Sequence, residues 1–151
     1  MLHVVLVEPE IAPNVGNIGR TCAAAGCRLH LVGPLGFRLD DRALRRAGVD
    51  YWEAVDYVRY RDWQEFVEQC GIGRFWFFTA RGGCPYYQVP YRVGDYLVFG
   101  CESRGLPESL LKAHAEQRVC IPLPSGKVRS LNLATAVGIA VFRALEISGL
   151  L

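Results

Sequence analysis

"HVVLVEPEIAPNVGNIGRTCAAAGCRLHLV", residues 3–32, opens and closes on short apolar runs, His3–Val7 and Arg28–Val32, with a stretch of small residues between them. Runs that are apolar on both faces are how the strands of a helix-covered parallel sheet read. The intervening pattern fits a helix over about 15–25. Strand, helix and strand in that order form the building unit of a parallel α/β sheet.

The unit recurs along the chain. Apolar runs at "RFWFFT" (74–79), "YLVFG" (96–100) and "RVCIPL" (118–123) read as strands, and helical patterns fit 40–47, 62–70, 107–115 and 131–148. The expected fold is therefore α/β, a doubly wound parallel sheet flanked by helices. With 151 residues, 51% of them hydrophobic, the chain suffices for a sizeable core without disulfides or metal. No repeat, linker or low-complexity tract interrupts it, so one domain over 1–151 is expected.

Composition narrows the function classes. The start, "MLHVVLVEPE", has no basic segment ahead of its short apolar run, so no signal peptide is read and a cytoplasmic protein is expected. Cysteines 22, 27, 70, 84, 101 and 120 have no C-x-x-C spacing, which points to reduced thiols and to no metal site. Net charge is +2, from 15 Arg and 2 Lys against 15 acids, too little to announce a nucleic-acid binder by bulk charge. The arginine excess suits bidentate phosphate contacts, and a GC-rich genome would produce the same skew.

Ligands of open parallel sheets sit beyond the carboxyl ends of the strands, which selects the loops at 8–17, 80–83, 100–107 and 123–130. No G-x-G-x-x-G follows the first strand and no P-loop occurs, so standard dinucleotide and P-loop sites are excluded. Three motifs occupy these loops. In "PNVGNIGR" (13–20), Asn14 can cap the helix, Gly16 and Gly19 allow close approach, and Arg20 stands among small residues. Arg20 either pairs with an acid such as Glu8 or Glu102 or is aimed at a ligand. In "YLVFGCESRGLP" (96–107), Gly100 admits a flat ligand or belongs to an ordinary strand-to-helix loop with a solvated Glu102. In "CIPLPSGKVRSLNLATAVGIAVFRALE" (120–146), Ser130 or Asn132 can cap a helix that is apolar on most faces and too interrupted by polar residues to span a membrane. A helix covered on two sides suggests that a second subunit supplies one of them.

Together, "PNVGNIGR", "FGCESRGLP" and "IPLPSGKVRSLNLATAVG" resemble the three ordered motifs of the SpoU-type ribose 2′-O-methyltransferases of the SPOUT superfamily. With "RRAGVDYWE" (45–53), the chain is most similar to the minimal YibK-like tRNA wobble-nucleotide enzymes, and the likeness spans essentially its whole length. The resemblance implies a deep C-terminal trefoil knot, an exception to the rule that chains are unknotted. It implies S-adenosyl-L-methionine held by Phe78, Thr79, Gly100, Ile121, Leu123 and Ser130. It implies a catalytic Arg20, with Asn14, Glu102, Arg129, Asn132 and Arg143 contacting RNA or shaping the site. It also implies a homodimer that methylates the 2′-oxygen of C or modified U at position 34 in a tRNA anticodon stem-loop. Another RNA substrate, such as rRNA, and a non-catalytic knotted RNA-binding module are the competing readings. Where relatives commonly carry Tyr-Glu in the last helix, this chain has Phe142-Arg143, which keeps the aromatic surface but not the hydroxyl or carboxylate.

Overall fold

A computed structural model describes residues 1–40, 42, 46 and 52–151. Most of the helix expected at 40–47 and of "RRAGVDYWE" lies outside the described residues. The strands are β1 (His3–Val7), β2 (Arg28–Val32), β3 (Tyr57–Tyr60), β4 (Phe75–Phe78), β5 (Cys84–Pro85), β6 (Tyr96–Phe99) and β7 (Arg118–Cys120). They form one sheet in the order β3-β2-β1-β6-β4-β7-β5, and every described pairing is parallel. The four helices given bounds are α1 (Ala12–Ala25), α2 (Trp63–Cys70), α3 (Glu108–Ala113) and α4 (Leu133–Ser148).

β1 shows why both faces are covered. Val4 and Leu6 join one core cluster with Ile18 and Cys22 of α1 and Val137, Ala140 and Val141 of α4. Val5 and Val7 join the opposite cluster with Phe66 of α2 and Leu111 of α3. Side chains alternate across a strand, so a strand buried on both sides has no polar face to show, which is the reading its sequence invites.

Two strands have no counterpart among the apolar runs. β3 is an edge strand, with Tyr57 and Arg59 outward and Tyr60 buried, and this alternation hides it from a search for continuous apolar runs. β5 has only two residues, and its Pro85 is tolerated because the strand lies at the opposite edge. β7 is shorter than the run at 118–123, because the chain leaves the sheet at Ile121-Pro122.

Other local expectations change in three dimensions. α1 starts at Ala12 with Ile11 as its cap residue and Pro in the first turn, so Asn14 lies inside the helix and does not cap it. Gly19 makes room for the indole of Trp52 rather than a ligand, since a Cβ there would sit 2.7 Å from that ring. At Gly100 a Cβ would lie 2.0 Å from the Gly105 carbonyl carbon. Its bareness lets the 101–105 loop fold back on the strand end, with Gly105 in the left-handed region at φ 71°.

Buried polar groups tie neighbouring strands to one another. His30 contacts His3 at 2.9 Å and the Tyr60 hydroxyl at 2.8 Å, and burial, helped by His3, pushes its pKa down to about 3. The ring is therefore neutral in the fold. Asp95, 1% exposed, accepts from Arg74 Nε at 2.9 Å, Trp76 Nε1 at 2.8 Å and the Arg92 amide at 2.9 Å. One carboxylate thus joins the start of β6 to β4. Replacing Asp95 with Ala leaves these donors unmatched and should cost about 3 kcal/mol. Urea denaturation checks this, and Asp95→Asn should fall between the two.

Candidate functional site

The carboxyl ends of β4, β6 and β7 open into a cavity of about 710 Å3. All three motif loops reach it. Of the residues singled out from the sequence, Phe78, Thr79, Gly100, Ile121, Leu123 and Ser130 line it, as do Asn14, Glu102, Arg129 and Asn132. Arg20 and Arg143 do not. Arg20 is exposed on α1, in a stripe with Pro13, Asn17 and Ala24. Arg143 donates to Glu146 Oε2 and to the Tyr87 carbonyl, both at 3.0 Å, and is neither fully solvated nor at the cavity.

The walls form in distinct ways. β4 ends in Phe78, which stacks on Phe99 at 4.6 Å between centroids, so two neighbouring strands present one aromatic surface. Beyond it, Thr79 Oγ1 accepts from the Arg81 amide at 3.2 Å and sets a turn. Ile121 and Leu123 face the cavity because Pro122 takes the chain off the sheet.

A polar chain joins the three motifs. Glu102 Oε1 accepts from the Glu10 amide at 2.9 Å, and Oε2 accepts from the Ile11 amide at 2.9 Å and from Asn14 Nδ2 at 3.1 Å. Asn14 Oδ1 in turn accepts from Asn132 Nδ2 at 3.1 Å, and Asn132 Oδ1 caps α4 by accepting from the Thr135 amide at 3.2 Å. Glu10 completes the exchange by accepting from the Ser103 amide at 2.9 Å, and Ser103, through its hydroxyl first and its amide second, holds the Glu10 carboxyl pKa below the usual value. A carboxylate beside the first residues of α1 satisfies helix N–H groups that have no intrahelical partner. Glu102 therefore anchors the chain entering α1 from another loop, in place of the local cap expected of Asn14.

Among the described residues, no group of three or more His, Cys, Asp or Glu is placed to hold a metal ion. No described helix is long and apolar enough to cross a membrane. Arg81, Ser103 and Arg104 also line the cavity and were not singled out from the sequence, although they sit in the selected loops. Their position in Gly-rich loops is the only signal that could have found them.

Removing the Glu102 side chain breaks the joint between two loops. Glu102→Ala should lower stability by about 2–3 kcal/mol, since it removes charged acceptors from three donors. Amide hydrogen exchange at Glu10 and Ile11 should accelerate, while amides in the centre of β1 should change only with global stability.

The model of the SpoU rRNA Methylase family matches residues 1–142. A tRNA (cytidine(34)-2'-O)-methyltransferase of Burkholderia pseudomallei is 48% identical over 152 residues, covering 99% of this chain and 97% of its own. A solved structure giving structural insights into the 2-OH methylation of C/U34 on tRNA is 49% identical with a TM-score of 0.92, over 97% of this chain and 95% of its own. An AdoMet-bound rRNA methyltransferase from Sinorhizobium meliloti is 30% identical with a TM-score of 0.85, over 96% of this chain and 56% of its own. A sheet open at its carboxyl edge, three motif loops on one cavity and a match over nearly the whole length lead to one conclusion: the chain belongs to the SpoU methylase family.

Proposed function

We propose that this protein transfers the methyl group of S-adenosyl-L-methionine to the ribose 2′-oxygen of the tRNA wobble nucleotide, C or modified U at position 34. The observation that carries the reading is the convergence of the three motif loops on one cavity, in a chain whose full-length relatives are named for this reaction. The chemistry of the cavity fits the cofactor. Phe78, Leu111, Ile121, Leu123 and Ala136 give apolar walls for an adenine, while the turns at 79–81 and 100–105 bring main-chain polar groups to the rim. A volume of about 710 Å3 is ample for a molecule of that size.

When bound, the cofactor supplies an electrophilic methyl on a sulfonium. The chain's own residues have to align the ribose and stabilise an oxygen that loses its proton, so positioning and electrostatics carry the catalysis. Arg20 is assigned that second task. A guanidinium fork suits a ribose-adjacent phosphate and a developing alkoxide through charge-assisted hydrogen bonds. Asn14, Glu102 and Asn132 shape the cavity through their shared hydrogen bonds, and Arg129 at its rim faces the RNA. Arg143, bonded to Glu146 and to Tyr87, sets the surface of α4 beside Phe142.

Arg20 lies outside the cavity of its own chain, and a homodimer would close that gap. α4 carries Phe142 at 44% and Ile147 at 42% exposure, and Ile11 ahead of α1 is 46% exposed. A second copy packed on α1 and α4 covers these side chains and brings Arg20 of one copy to the cavity of the other. The deep C-terminal knot belongs to the same reading. Residues 121–133 line the cavity opposite the 99–106 loop before α4 packs on α1, an arrangement compatible with a threaded C-terminal segment.

Arg20→Ala should lower methyl transfer by about 10²-fold or more and leave cofactor affinity, measured by calorimetry, nearly unchanged. A tRNA with a 2′-deoxy wobble ribose should accept no methyl; undiminished methylation of it would place the target elsewhere. Light scattering should give about twice the 16.8 kDa chain mass, and Phe142→Glu should shift the protein toward monomer with loss of activity.

A further inference from the structure

A second, smaller cavity of about 430 Å3 adjoins the first and shares Arg81, Cys101, Arg104, Gly105 and Leu106 with it. Its remaining lining is Val7, Glu8, Pro107 and Glu108. Apolar side chains thus accompany two acids and two arginines. Arg81 is already committed, donating to Glu108 Oε2 at 3.2 Å. Glu8 and Arg104 line the rest of its charged wall.

Glu8 is held in an unusual way. It follows β1 with φ 54°, and it is the only non-glycine residue with positive φ among those described. Its amide donates to the Val32 carbonyl at 2.7 Å, which fixes the backbone at that turn. Its carboxylate has no hydrogen bond or ion pair among the described residues. A left-handed conformation is unfavourable for a glutamate, and such backbones persist mainly where they aim a side chain at a functional place. Across the cavity the pKa of the Arg104 guanidinium is raised, first by its contact with the Cys101 sulfur and then by the carboxylates of Glu10 and Glu8. An acceptor and a fork of donors therefore flank one space beside the reaction cavity.

The geometry points to this second cavity as the seat of the target base, with Glu8 and Arg104 reading the Watson–Crick edge of a pyrimidine. The inference rests on the wobble-methyltransferase reading above. Cytosine offers an N4 amino donor to the carboxylate and N3 and O2 acceptors to the guanidinium. Uracil reverses donor and acceptor at positions 3 and 4, so it has to shift for N3–H to meet the carboxylate and O2 the guanidinium. The pair therefore matches cytosine directly and takes uracil only in a shifted pose. Val7, Leu106 and Pro107 supply apolar contact for a base taken out of its stack.

The test uses anticodon stem-loops that differ only at position 34, bearing cytidine, uridine or a pyrimidin-2-one riboside, which is cytidine without its N4 amino group. With wild-type protein, kcat/KM on the pyrimidinone should fall about 10- to 100-fold below cytidine. Glu8→Ala should lose that discrimination, treating cytidine and pyrimidinone alike at the reduced level. Glu8→Gln keeps an acceptor oxygen for N4–H and should restore most of it. Calorimetry with S-adenosyl-L-methionine confirms that each variant is folded and binds cofactor. Equal turnover of cytidine and pyrimidinone by wild type would overturn this proposal and leave the methyltransferase reading intact. So would a Glu8→Ala defect confined to the KM for cofactor and equal for every base, which would seat the amino-acid end of the cofactor there. Failure of the wild type to methylate position 34 in any stem-loop would overturn the underlying reading and this proposal with it.

Discussion

A single carboxylate, that of Glu102, sets the relation among the three loops. It leaves the end of β6, accepts from two main-chain amides ahead of α1 and holds Asn14, which in turn receives Asn132 from the start of α4. These contacts span 88 to 118 residues of sequence. The donors at the start of α1 need an acceptor, since the first turn of a helix cannot satisfy itself. Placing that acceptor on another loop makes the helix end and the cavity wall one unit. Loss of a local cap would fray one helix, whereas loss of Glu102 loosens a joint that α4 shares through Asn132.

The sheet makes such a joint useful. All described strands run parallel, so their carboxyl ends lie on one edge, and with core clusters on both faces that edge is where the chain is open. β4, β6 and β7 end there in sequence with Phe78, Gly100 and Ile121. At the opposite ends, Asp95 ties the start of β6 to β4, while the neutral His30 links β1, β2 and β3 within the sheet. Rigidity at one end and loops at the other is an arrangement in which a cofactor site can be shaped without disturbing the core.

The modest net charge of +2 also has a structural counterpart. Several arginines serve the fold: Arg74 is bound to Asp95, Arg28 to Asp56 and Arg118 to the Arg81 carbonyl. Arg104 and Arg129 line the cavity, and Arg20 stands on the exposed stripe of α1.

The amino-acid sequence determined the fold class, because burial on both sides of a strand writes itself as an unbroken apolar run, and β1, β2, β4 and β6 carry such runs at their observed places. It also identified the loops of the site, since Gly, Pro and polar residues collect where strands end. Edge strand β3 escaped, because one solvated side breaks its pattern, and β5 is too short to carry any. The tertiary structure alone decided which residues meet. That Glu102 anchors the chain entering α1, that Gly19 faces Trp52, that Arg143 turns to Tyr87, and that Glu8 and Arg104 line a second cavity all depend on contacts between distant segments. Periodicity records whether a side chain is buried; it holds no record of the partner, because the partner is chosen by the packing of elements that lie far apart in the chain.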